Sequence, residues 1–151
     1  MTTTVNGIDQ FHGIVGQHLG WSDWRTITQD QVNLFADATG DHQWIHVDPE
    51  RAAGGPFGAA IAHGYLTLAL APVLLGEVLV VEGMTFGVNY GCNKVRFPAP
   101  VKVGSKLRCG VAIASVEDVE GGVQVNLDLT FETEGSTKPS CVAQVVYRYY
   151  R

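Results

Sequence analysis

Apolar residues fall at helical spacing in the first half of the chain, and the second half holds runs of strand-forming residues, of which "GVQVNLDLTFETE" alternates clearly. In "QDQVNLFADA" Val32, Phe35 and Ala36 share one face at helical spacing. Thr28 opens a capping box, "TQDQ", in which its hydroxyl can accept from the Gln31 N–H while the Gln31 side chain reaches back. Gly40 can take the left-handed conformation that ends a helix, so a helix is predicted between Thr28 and Gly40. From about Ala59 to Leu75 the run is apolar on all sides, which predicts a long helix wrapped by other structure.

Downstream the pattern becomes that of strands. "TFGVNYGCNKVRF", "SKLRCGVAIASVEDV", "GVQVNLDLTFETE" and "CVAQVVYRYYR" are rich in Val, Phe, Tyr and Thr, with Gly121-Gly122 predicted as a hairpin turn. Helices followed by antiparallel strands give an α+β class, with a curved sheet packed on a buried helix. The length fits a single domain over residues 1–151.

Composition narrows the classes. With 46% hydrophobic and 17% charged residues the chain is globular. A formal charge of -5 argues against a nucleic-acid binder, which needs a basic surface to displace counterions. Three scattered cysteines, Cys92, Cys109 and Cys141, form no CxxC pair, so a reduced, cytoplasmic setting is expected. "MTTTVNGIDQFHG" has no secretory pattern, and His63, Pro72, Gly76 and Glu77 interrupt the apolar run, so membrane insertion is not expected.

Candidate chemistry gathers in "ATGDHQWIHVDPERAA". Asp41, His42, His46 and Asp48 lie close together in a turn-rich stretch that Pro49 and Gly54-Gly55 keep irregular. Asp41 after a glycine can be an ordinary turn residue, and Asp48 a cap before Pro49. His42 and His46 with the two aspartates can also be read as metal ligands, though they precede a helical run and no metal is expected. As a proton-handling pair, Asp41 and His46 can converge on one water.

"FADATGDHQWIHVDPERAA" followed by "AAIAHGYLTLAL" resembles the MaoC-like dehydratases, the (R)-specific enoyl-CoA hydratases of the hot dog fold. Phe35, Gly40, Asp41, Ile45 and His46 match that family's motif, while Gln43 and Trp44 replace its usual Asn-Pro spacer. "NYGCNKVRFPAPVKVGSKLR" looks like the family's strand and Pro-Val turn, and "GQHLGWSDWRTIT" is similar to the nodulation-protein-N-like branch.

The resemblance implies hydration of trans-2-enoyl-CoA to (3R)-3-hydroxyacyl-CoA, without metal or redox cofactor. It casts Asp41 and His46 as the catalytic pair and the Gly64 N–H as oxyanion donor. His63 would support by hydrogen-bonding substrate or loop, with Gln43 and Trp44 against the substrate. A homodimer is implied, since such domains pair their sheets.

Three other readings stand beside this one. A hot dog thioesterase commonly carries a carboxylate on the central helix, and "AAIAHGYLTLALAPVLL" has none. A dehydratase of carrier-protein substrates shares the chemistry, and an acyl-thioester binding module needs none. Lastly, between Gly83 and Val116 there is no acidic residue, yet Lys94, Arg96, Lys102, Lys106 and Arg108 fall there. Such a basic face suits the phosphates of coenzyme A or a carrier arm, with Lys94 and Arg96 on one strand face, although lysines also keep a sheet edge soluble.

Overall fold

The computed structural model describes residues 1–151. Three short strands open the chain: β1 (Thr3–Asn6), β2 (His18–Trp21) and β3 (Arg25–Thr26), with a 3-10 helix at Ile8–Ile14 after the first. Helix α1 (Gln29–Thr39) leads to two single-turn helices, α2 (Trp44–Val47) and α3 (Pro49–Ala53). The core helices α4 (Gly64–Ala69) and α5 (Ala71–Val78) run into strand β4 (Leu79–Glu82). Four long strands finish the fold: β5 (Phe86–Arg96), β6 (Lys106–Val119), β7 (Gly122–Thr133) and β8 (Cys141–Tyr150).

The long strands lie in the four segments rich in strand formers, in an antiparallel sheet of order β2-β6-β7-β8-β5, with β3 also on β6. Their inward positions, such as Val111, Ile113, Leu127, Leu129 and Val145, are buried and close over Leu66, Leu70, Leu74 and Leu75 of the core helices. Burying each such side chain stabilises the fold by about 1.5–3 kcal/mol. β1 pairs in parallel with β4 across most of the helical half, a contact no local pattern announces.

Helix α1 forms as its signals predict. Thr28 Oγ1 accepts from the Gln31 N–H at 3.2 Å, and Gly40 ends the helix at φ 83°. Only that half of the capping box forms, because the Gln31 side chain makes no return bond.

Three expectations are corrected. The core helix starts at Gly64 rather than near Ala59, because residues before it pair outward. Ala62 N–H donates to Val101 O, Ile61 N–H donates to Ile45 O, and Ile61 bridges to Lys102. It also divides at Leu70, where Pro72 in the next turn has no N–H to continue the ladder. The second half runs on to Val78, so it takes in Glu77, and one face stays open: Tyr65 is 74% and Val73 45% exposed. Second, the stretch after Gly40 is not wholly irregular, since Asp48 Oδ1 accepts from the Arg51 N–H and starts α3. Third, the hairpin turn is Glu120-Gly121. Gly121 takes φ 77°, whereas Gly122 already pairs with Val119, and a Cβ there would sit 2.1 Å from Tyr149 O.

Candidate active site

The single turn of α2 places His46 inside the molecule, 7% exposed. Its Nδ1 lies 2.6 Å from Ile61 O, and a carbonyl can only accept, so Nδ1 carries the proton. Neutral His46 therefore presents Nε2 as a lone pair, the form a proton acceptor needs. Ile61 N–H donates back to Ile45 O at 2.9 Å, so the segment before α4 holds the α2 turn twice.

His63, just before α4, is 2% exposed and stacks on His46 with ring centroids 3.9 Å apart and planes 23° apart. Phe35 of α1 lies against its other side at 4.8 Å. His63 Nε2 donates to Asp41 O at 2.9 Å and stands 4.0 Å from an Asp41 carboxylate oxygen. His63 Nδ1 is buried without a partner. Asp41 follows Gly40, and its carboxylate accepts from the Gln43 N–H at 3.3 Å while remaining half-exposed.

Donor atoms of Asp41, His46 and His63 lie within 4.8 Å of one another. Stacked, near-parallel imidazoles aim their ring nitrogens side by side, whereas a metal about 2.0 Å from each needs them to converge. The trio fits a shared water or a substrate atom better than a metal. His42 does not join His46: its Nε2 meets Asp37 at 3.0 Å on the surface, and that carboxylate holds the His42 imidazole above its ordinary range.

Gly64 starts α4, and its N–H has no backbone acceptor. The Phe97 ring covers the glycine so closely that a Cβ would lie 3.2 Å from three ring atoms. Beside it opens a cavity of about 260 Å³, lined by Phe57, Ile61, Thr67, Phe97 and Val101 among others.

Other residues singled out from the sequence lie apart. Gln43 is the residue before α2, and its side-chain amide makes no hydrogen bond. Trp44 packs on α3, with the Arg51 guanidinium 4.3 Å above its ring and Gly55 beneath. Lys94 and Arg96 pair with Gln144 and Val142 on β8, residues whose side chains leave the sheet away from the core helices. Lys94 lines a separate cavity there with Asp128 and Gln144.

The continuous basic face is not formed. Arg108 is paired by its register partner Glu132 and sandwiched between Trp21 and Trp24 at 4.3 and 4.4 Å, and Lys106 reaches Glu134 at 3.9 Å. The balancing acids, Glu132 on β7 and Glu134 just after it, lie outside the acid-free stretch between Gly83 and Val116, so that stretch by itself does not show them.

Two further features escaped the sequence reading. Glu77 gives the core helix a carboxylate, but Arg25 holds it at 3.1 Å and the Asp23 N–H at 2.9 Å, at the opposite end of the helix pair from Gly64. Gln29 of α1 donates to His46 O at 2.8 Å; its place beside the Thr28 cap is legible in sequence, its target is not.

Residues 10–134 match the family model described as MaoC like domain. The chain is 56% identical over 147 residues to 3-hydroxyacyl-thioester dehydratase Z of Mycobacterium tuberculosis (strain ATCC 25618 / H37Rv), covering 97% of each. It is 45% identical over 133 residues to Nodulation protein N of Rhizobium meliloti (strain 1021), covering 86% of this chain and 83% of that one. Among solved structures it resembles unliganded R-hydratase PhaJ1 from Pseudomonas aeruginosa with a TM-score of 0.73 and 26% identity, over 91% of this chain and 82% of that one. The sheet wrapped on a central helix is thus a hot dog fold, and this chain belongs to the MaoC-like dehydratase family.

Proposed function

We propose that this chain catalyses the reversible hydration of a trans-2-enoyl-CoA to the (3R)-3-hydroxyacyl-CoA. The observation that carries the reading is the buried His46, whose Nε2 is left as a lone pair by the Nδ1–H bond to Ile61 O, in one cluster with Asp41 and with His63, the residue that leads into Gly64 and its unpaired N–H. In hydration, a water held between Nε2 and the Asp41 carboxylate gives a proton to Nε2 as its oxygen bonds to the β-carbon. The π electrons move to the α-carbon and thioester oxygen, where the Gly64 N–H stabilises the charge. The imidazolium then returns a proton to the α-carbon, so one water is added and the protein ends as it began. No step requires a metal or redox cofactor.

The 3-hydroxyacyl-thioester dehydratase similar to this chain supports the reaction class, and the likeness to an R-hydratase supports the R hand. Lys94 and Arg96 remain the candidates for the CoA phosphates, being without acidic partners on an exposed strand, while Gln43 and Trp44 stand at the entrance to α2. A thioesterase reading is disfavoured because the one carboxylate of the core helices, Glu77, is engaged elsewhere.

The protein acts as a homodimer in this reading. β5 is an unpaired edge strand that exposes Phe86, Val88 and Tyr90, and the core helices leave Tyr65 and Val73 uncovered nearby. A second copy pairing β5 to β5 about a twofold axis satisfies both edges with the same surface.

The test follows the ultraviolet absorbance of crotonyl-CoA and a longer enoyl-CoA, with chiral analysis of the product. Loss of the enoyl signal with R product supports the proposal. An S product or release of free thiol overturns it, and activity confined to carrier-protein substrates replaces CoA as the carrier. Light scattering that finds a monomer at micromolar concentration overturns the dimer.

A further inference from the structure

The helix turn that carries His46 is too short to hold itself. α2 has four residues, so its last carbonyls lack partners within the helix. Trp44 O is taken by the Asp48 N–H and Ile45 O by the Ile61 N–H, whereas His46 O is taken by a side chain, the Gln29 amide at 2.8 Å. The same amide donates its other hydrogen to Asn33 Oδ1 at 2.9 Å, one turn along α1. Because the His46 carbonyl can only accept, the NH₂ end of Gln29 must face it. Both donors are then in use, and the carbonyl end, Oε1, is left buried with no partner. A buried unpaired acceptor costs about 1–3 kcal/mol. An apolar side chain of similar length would avoid that cost only by leaving His46 O and Asn33 Oδ1 without this donor.

The geometry points to Gln29 as a positioning residue for catalysis. From the capped first turn of α1 it fixes the His46 peptide, while Ile61 O fixes the imidazole, and together they hold Nε2 in one direction. Gln29 does not touch the reacting atoms. This inference rests on His46 being the proton-handling residue proposed above.

Three variants separate positioning from folding. Gln29→Met keeps length but no donor, Gln29→Glu keeps shape but replaces the NH₂ by an oxygen, and Gln29→Lys restores a donor of sufficient reach. Displacements on the scale of 1 Å can cost about 10²-fold in rate. Gln29→Met and Gln29→Glu are therefore expected to lose about 10–100-fold in kcat with KM for crotonyl-CoA changed less than about twofold. Gln29→Lys should recover part of the loss. As an activity-independent readout, ¹⁵N NMR of the histidine rings, with His46 assigned by its loss in His46→Asn, should show the Nδ1–H tautomer in wild type. In Gln29→Met that signal should split or broaden into a tautomer mixture.

Unchanged kcat in a folded Gln29→Met overturns the inference. So does a loss of kcat and KM together with a fallen Tm that Gln29→Lys does not repair. If wild type hydrates no enoyl thioester, the functional reading has failed, and NMR alone then decides on Gln29. An unchanged His46 spectrum in Gln29→Met overturns its positioning role, and an altered one sustains it.

Discussion

Replacing His46 by alanine removes two separable things, and the structure assigns a magnitude to each. The stability loss comes first from Ile61 O, which is left without its 2.6 Å donor in a buried segment, a cost of about 1–3 kcal/mol. Loss of the ring stacked at 3.9 Å on His63 adds about 0.5–1.5 kcal/mol. Together these give about 1.5–4.5 kcal/mol, which for a chain of this size lowers Tm by roughly 3–18 °C. The chemical loss comes from Nε2, whose lone pair takes the proton of water. Removing a general base costs about 10²–10⁴ in rate. His46→Asn divides the two effects. Its amide nitrogen lies near the Nδ1 position and can still donate to Ile61 O, but nothing replaces Nε2. Calorimetry should find the asparagine variant more stable than the alanine variant, while hydration of crotonyl-CoA is lost in both. An asparagine variant within tenfold of wild-type kcat refutes the assignment of Nε2 as base. An alanine variant as stable as wild type refutes the structural half.

Burial pushes the thiols of Cys109 and Cys141 up to about 12, and only a thiolate reacts. At pH 8 a disulfide reagent should therefore leave Cys109 and Cys141 untouched until the protein unfolds, and fast reaction at either refutes the burial. Charge reversal of both Lys94 and Arg96 should raise KM for CoA thioesters several-fold with kcat nearly unchanged, in steady-state assays at low salt, and an unchanged KM removes them from phosphate binding. Gly122→Ala should cost more than about 2 kcal/mol in urea unfolding, because its Cβ would sit 2.1 Å from Tyr149 O across the β7–β8 pair; a loss under half that shows the strand can shift.

Local signals determined a good deal here. A wealth of Val, Phe, Tyr and Thr placed the four long strands, and in β7 the alternation of buried with more exposed positions is written residue by residue, because one face meets the core. Thr28 and Gly40 bounded α1 because a cap hydroxyl and a left-handed glycine act within a few residues. The motif brought Asp41, His46 and Gly64 forward, and the fold sets the Asp41 and His46 donors within 4.8 Å of one another. What the sequence could not hold is whatever depends on a partner far along the chain. The start of the core helix moved to Gly64 because Ala62 and Ile61 found Val101 and Ile45 instead. The basic run on β6 lost its free charges to Glu132 and Glu134, which reach it only through strand register. The tautomer of His46 was decided by a carbonyl fifteen residues away and the seating of its peptide by Gln29, seventeen residues back. Periodicity and caps are short-range physics that a sequence displays; hydrogen bonds and ion pairs between distant segments exist only once the sheet has closed on the helix.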